Sequence, residues 1–202
     1  MKGLLLKDLI NLKKQAFIYL VFILFYGVVS VSSNNVSFIG GMICVVSAMM
    51  PITALSFDER ANWDKYALTM PVSRRDMVLE KYILGLLCAT GGLAVLLLFQ
   101  WIIPVKEEGE LISIFILYAV SILYLSLLLP VLFKLGVEKG RILMMLFFVI
   151  PFAAVFIVSK LDLQMPDIQT LKSLLYGFPA FVAAAYILSF FLSFLIYRKK
   201  EL

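Results

Sequence analysis

Six stretches of this 202-residue chain contain no Asp, Glu, Lys or Arg: Ala16–Ser32, Phe38–Leu55, Tyr82–Val105, Leu111–Phe133, Ile142–Val158 and Pro179–Tyr197. The chain has no His at all. A helix needs about 20 mostly apolar residues, and no fewer than about 17, to cross roughly 30 Å of hydrocarbon. The segments between the runs are too short to build a soluble core of their own. The pattern therefore predicts an all-α integral membrane protein. It is a single domain over 1–202 with six transmembrane helices at 16–32, 38–55, 82–105, 111–133, 142–158 and 179–197. Ion-coupled carriers and most intramembrane enzymes place titratable groups at membrane depth. These spans hold no Asp, Glu, Lys, Arg or His, so energy for any transport must enter from outside the bilayer.

Charge distribution sets the orientation. With the N-terminus inside, fifteen of the eighteen Lys and Arg fall in cytoplasmic segments, and only Lys106, Lys160 and Lys172 fall outside. Positive residues in short loops stay cytoplasmic, so both termini are expected in the cytoplasm. The same bias accounts for the net charge of +5, and nucleic acid is not called for as a partner. The first run follows a helically patterned segment, so it reads as a retained span and not as a cleaved signal.

Residues 1–15, MKGLLLKDLINLKKQ, alternate Leu/Ile with Lys and Asp. They predict an amphipathic helix lying in the headgroup layer before the first span. The longest cytoplasmic segment, 56–81, is the most patterned. Ser56 with Glu59 and Ser73 with Asp76 each have the spacing of a capping box. Arg60 and Asp64 are spaced as a helical ion pair. Pro71 should end a first short helix. A second helix would then run from Arg74 to Val105, about 48 Å at 1.5 Å per residue, and protrude from the membrane. Phe57, Trp63 and Tyr66 stand among charges there. That suits either a protein contact surface or an aromatic belt at the headgroups. Lys134–Arg141 reads as a short basic loop. A short external helix is expected near 168–175, ended by Gly177, with Pro179 opening the last span.

Much chemistry is excluded. Gly136 to Arg141 has the wrong spacing for a phosphate-binding loop and follows no strand. Without His, no Ser–His nucleophile pair or zinc-protease helix can form. Cys44 and Cys88 sit in apolar runs and read as packing, and no metal-ligand spacing exists. The polar groups at membrane depth are hydroxyls, phenols and one amide. Most should bond their own helix backbone; Thr53, Thr90, Gln100, Tyr118, Ser121 and Tyr124 are the candidates for lining a substrate path.

The segment FDERANWDKYALTMPVSRRDMVLEKY at 57–82, the opening MKGLLLKDL and the six-span layout with both ends inside together resemble the permease subunit of type-two ATP-binding-cassette exporters, in their short bacterial branch. The resemblance covers the whole chain in layout; 1–15 and 56–82 carry its specific part. It implies a bacterial cell membrane location. It implies pairing with a second permease, identical or related, and with two copies of a separate ATPase subunit that holds ATP and Mg2+. The helix between spans two and three would be the coupling helix seated on that ATPase, the role falling on Phe57, Asp58, Glu59, Arg60, Trp63 and Tyr66, with Pro71, Arg74 and Arg75 beside them. The implied cargo is an amphipathic molecule: a peptide toxin, a bacteriocin or a drug. Membrane lipid surrounds the whole. The other readings are a non-transporting immunity, sensing or assembly protein and, further off, a channel or secondary carrier.

Overall fold

A computed structural model describes residues 2–67, 69–103, 110–160 and 168–199, with side chains described over 3–67, 69–103, 111–140, 142 and 177–199. It is helical throughout: α1 Lys2–Ser33, α2 Ser37–Arg60, α3 Trp63–Ala67, α4 Arg74–Ile102, α5 Glu110–Lys160 and α6 Ile168–Lys199. Among the described residues, five helices are long and apolar enough to cross a membrane, within α1, α2, α4, the first half of α5 and α6. The backbone of the remaining expected span, 142–158, is the second half of α5. Nearly all its side chains lie outside the described residues, as do Pro104 and the external loop before α5.

Several expected boundaries are absent, and the reason is the same in each case. Helix propagation adds a backbone hydrogen bond per residue, and nothing in the local sequence opposes it strongly enough. The interfacial segment 1–15 does not separate from the first span; residues 2–33 form one helix. Ser56 opens no helix, because α2 runs through it to Arg60. Gly177 and Pro179 both lie inside α6. The basic loop at 134–141 shrinks to a single non-helical residue, Gly136, with helix on both sides. Arg60 and Asp64 fall on either side of the turn at Ala61–Asn62, so their helical spacing is lost. The capping box at Ser73 does form: the Asp76 amide donates to Ser73 Oγ at 3.1 Å, and the Ser73 amide donates to Asp76 Oδ2. From there α4 extends 29 residues, about 44 Å at 1.5 Å per residue, so it exceeds the hydrocarbon thickness as expected.

The helices pack around α2 and α4, which run antiparallel to each other, with Ile43 of α2 beside Leu96 of α4 at one end and Ala54 beside Leu84 at the other. At one end Ile39, Ile43, Leu96, Ile103 and Ile114 form a buried cluster joining α2, α4 and α5. At mid-depth a Cβ on Gly92 would fall 2.5 Å from Ile43 Cγ2, so glycine there permits close approach of α4 to α2. Tyr82 anchors α4 to α6 and α5. Its hydroxyl hydrogen-bonds Ser189 Oγ at 2.6 Å and Ser193 Oγ at 2.7 Å, Tyr186 donates to its backbone carbonyl, and Ser189 passes a bond on to the Ser126 carbonyl. Hydroxyls at this depth thus bond helix to helix, which suits a medium with no water to satisfy them. Phe17, Phe25, Val28, Leu188 and Phe191 lie exposed on the outside, as lipid-facing side chains do.

Candidate functional site

The end of the bundle that carries the N-terminus, α3 and the ends of α2 and α6 holds nearly all the described charge. Asp8 is fully buried although its neighbours Leu6, Leu9 and Ile10 are exposed. It points inward with Leu4 and Leu12 on the i, i+4, i+8 face of α1. The amphipathic pattern expected of 1–15 does not single out this face, on which Asp8 is buried together with two leucines. The cause is a closed ring of four charges. Lys7 Nζ lies 3.2 Å from Asp8 Oδ1 and 2.5 Å from Asp58 Oδ1. Lys81 Nζ lies 2.5 Å from Asp58 Oδ2 and also pairs with Asp8 Oδ2. Plus and minus alternate around the ring, so it is neutral as a unit. It ties the first turns of α1, the last turn of α2 and the first turns of α4 at one point.

Glu80 is the fifth charged group at this point, buried, with Oε1 3.8 Å from Lys81 Nζ. Because the ring is already neutral, an ionised Glu80 would add an uncompensated buried charge. Burial is the main cause that pushes its carboxyl up to about 8, opposed by Lys81 and aided by a hydrogen bond to Asp8. Burial also works to raise Asp8, but Lys81, the Glu80 hydrogen bond and Lys7 together hold it below the usual carboxylate range. Glu80 and Lys81 precede Tyr82, where the charge-free run of α4 begins, so both lie outside the membrane-spanning part.

Glu80 has a consequence for stability. In the unfolded chain its carboxyl titrates near 4.5 and in the fold near 8. Between these values the unfolded state has lost a proton that the folded state keeps, so stability falls as pH rises. Glu80's contribution is whole below about pH 4.5 and gone above about pH 8. Thermal unfolding in nanodiscs from pH 5 to 9 should show this decline, and Glu80→Gln should flatten it. A wild-type curve with no slope across the window would show that the folded-state carboxyl is not raised.

Around the ring the facing ends of α2 and α4 and the segment between them are held on three further sides. The Glu59 carboxylate accepts the Val137 amide with both oxygens, each at 3.0 Å, just past the break at Gly136. Arg74 donates through one nitrogen to the Arg198 carbonyl at 2.7 Å, at the C-terminal end of α6, where a cation suits the helix dipole. Trp63 packs half-buried on a core of Ala67, Met77, Val78, Leu129, Phe133 and Tyr197, with Lys7 Nζ 4.5 Å above its ring. A cavity of about 20 Å³ remains between Trp63, Asp64, Glu80 and Tyr197, no larger than a water molecule needs.

The fold therefore sorts the expected contact residues. Asp58, Glu59, Trp63 and Arg74 are engaged by their own chain, and Phe57 is half-buried. Arg60, Tyr66, Pro71 and Arg75 are exposed at the tip. The possible path residues make local contacts. Thr53 donates to the Met49 carbonyl and meets Tyr19 Oη at 3.1 Å, Thr90 donates to the carbonyls of Leu86 and Leu87, and Ser121 to that of Leu117. These are the backbone bonds expected of hydroxyls inside helices. Tyr118 and Tyr124 pack beside Ala48, Ala89 and Leu125, while Gln100 is half-buried near the opposite end of α4. Sequence reasoning missed Lys7, Asp8, Glu80 and Lys81. Their only available signal was a lone Asp inside an otherwise Leu/Lys segment and a Glu–Lys pair abutting an apolar run.

The sequence model of a family described as ABC-2 family transporter protein matches residues 3–198 of this chain. No curated protein and no solved structure matches it.

Proposed function

The chain belongs to the ABC-2 family of transporter proteins, and from that membership we propose that it is the membrane-spanning permease subunit of an ATP-driven exporter. It pairs with a second permease, identical or related, and with two separate ATPase subunits, on which ATP and Mg2+ are bound and hydrolysed. The tip between α2 and α4, with Tyr66 at its centre, is the surface that meets the ATPase in the cytoplasm of a bacterial cell. The cargo is an amphipathic molecule, in keeping with a bundle whose polar groups at membrane depth are hydroxyls and phenols.

One observation carries the mechanical part of this reading. The helix ends that carry the tip are fastened on all sides: the end of α2 to α1 through Lys7–Asp58, to α4 through Lys81–Asp58 and to α5 through Glu59, and the start of α4 to α6 through Arg74. A displacement imposed at the tip is thus delivered to four helices at once, which is what transmission from an external motor requires. The charge-free described spans hold no Asp, Glu, Lys, Arg or His for coupling to an ion gradient instead.

The test is uncoupling. In proteoliposomes holding the permease with its ATPase, Tyr66→Ala should leave ATP hydrolysis within about twofold and lower ATP-dependent uptake of a fluorescent amphipathic peptide at least tenfold. The chain purified alone should bind no nucleotide. Uptake that persists without ATP and follows a proton or sodium gradient would sink the proposal.

A further inference from the structure

We infer that Trp63 is a proton-gated latch: one buried water molecule hydrogen-bonds it to Glu80 and so holds α3 against α4, and ionisation of Glu80 releases it. The latch is a property of this chain alone and does not depend on its cargo or its partners.

It is built around two polar atoms that the protein does not satisfy. Glu80 is 1% exposed, and its Oε1 forms no hydrogen bond among the described residues. The indole Nε1–H of Trp63 is buried and likewise forms none. Buried donors and acceptors are nearly always satisfied, by protein or by water. Both residues line the cavity of about 20 Å³ described above. A site for one water needs about 10–15 Å³ and at least two polar partners, so this cavity takes a single water. The indole donates to that water, and the water donates to Glu80 Oε1. Asp64, on the same wall, offers a second acceptor.

The neighbours of Glu80 make the bridge depend on its proton. Facing it are Lys7 and Asp8 from α1, Asp58 and Glu59 from α2, Asp64 from α3, Lys81 beside it and Tyr197 from α6. From α5 the cavity receives Leu132 and Phe133. Lys7 and Lys81 are already matched by Asp8 and Asp58 in the neutral ring. Glu59 is held on the Val137 amide and Asp64 on the Tyr197 hydroxyl. Neither lysine is left for Glu80. Its protonated form, donating to Asp8 and accepting at Oε1, fits the site; its carboxylate would be a buried charge without a partner.

An ionised carboxylate draws in several waters, and the cavity takes one. The lining helices α2, α4, α5 and α6 are 24 to 51 residues long, whereas α3 has five. Glu59, Trp63 and Asp64 reach the surface, while Asp58, Glu80 and Lys81 behind them are buried. Glu59 is fixed to α5, so hydration of Glu80 displaces α3 and its indole. The latch is shut at neutral pH and opens as pH rises through about 8.

The test follows Trp63 directly. The chain has two tryptophans, and the other, Trp101, is 90% exposed near the far end of α4. Trp101→Phe therefore leaves Trp63 as the sole indole. In bicelles, between pH 6 and pH 9.5, its emission should shift to the red and its quenching by acrylamide should at least double, with a midpoint near pH 8 and unchanged circular dichroism. Glu80→Gln keeps the shape and the donor of the protonated group, and should hold Trp63 in its pH 6 state throughout. At pH 6 the isotopically labelled indole N–H should show an NMR cross-relaxation peak to a long-lived water. An indole without that peak, or one whose emission ignores pH, overturns the inference. So does a shift that persists in Glu80→Gln, which would assign it to another group such as the α-amino terminus, itself titrating near 8. A shift accompanied by loss of helix also overturns it, because that is unfolding and not release of α3.

Discussion

Replacing Lys81 with methionine should cost about 3–5 kcal/mol of stability, the range for removing one partner of a buried ion pair, and should sharply reduce recovery of folded protein. Among the described residues, Lys81 is the only cation in contact with Asp8 Oδ2 and Asp58 Oδ2 together, and its side chain is 4% exposed. Without it the ring holds two carboxylates and one ammonium, and Glu80 loses the cation nearest its own oxygen. The uncompensated charge cannot be hydrated, because Asp8 is fully buried. Methionine keeps the volume and apolar stem of lysine, so packing is not the source of the loss. The signature is non-additivity. Asp8→Asn alone leaves an excess positive charge, but combined with Lys81→Met it restores balance, since Lys7 and Asp58 still pair at 2.5 Å. The double variant should be more stable than the sum of the single losses by about 1–3 kcal/mol, within the range for groups in one charge network. Thermal unfolding of the four proteins in nanodiscs measures this. Additive losses, or a Lys81→Met variant as stable as wild type, would mean that the ring is not a closed unit.

The ring also shows why the sequence is legible at one scale and not at another. The charge-free runs reveal the spans because lipid imposes a rule on every residue of a span, and the family match bears out the permease resemblance drawn from 1–15 and 56–82. The two Ser-x-x-acid patterns had equal local merit. The one at Ser73 follows Pro71, after which a helix must start afresh, and it caps. The one at Ser56 lies inside a helix that has not ended, whose amides are already bonded to carbonyls four residues back, so there is no free donor to cap. Glu59, released from that role, finds an amide 78 residues away. Likewise Asp8, Asp58 and Lys81 are separated by tens of residues, and no spacing rule brings them together; only the packing of α1, α2 and α4 does. Contact residues chosen for chemical character alone were therefore split by the fold, with Tyr66 and Arg75 outward and Asp58 and Trp63 inward. Gly136 gave a visible signal, but one glycine beside basic residues does not tell a loop from a one-residue break.

That break supports the second large effect: Gly136→Ala should destabilise the protein by about 2–4 kcal/mol, the sum of a strained backbone and a lost cap. Gly136 has φ 79 and ψ 169, a conformation nearly closed to residues with a Cβ. A Cβ built there also falls 2.7 Å from Glu59 Oε1, too close for both to remain. If the carboxylate retreats, the Val137 amide loses its acceptor at the start of the second half of α5 and the tip loses its tether to that helix. If the backbone yields, α5 straightens through 136 and carries its second half away from α2. Either response separates the tip from α5, so coupling between hydrolysis and transport should fall along with stability. Glu59→Ala isolates the cap: it removes the acceptor without strain and should cost only about 1 kcal/mol. In the Glu59→Ala background, Gly136→Ala meets no carboxylate, so its added cost should shrink to backbone strain alone. Unfolding temperatures of the two single variants and the double variant separate these contributions. A Gly136→Ala protein no less stable than Glu59→Ala would show that residue 136 does not hold the left-handed conformation and that α5 is continuous at this point.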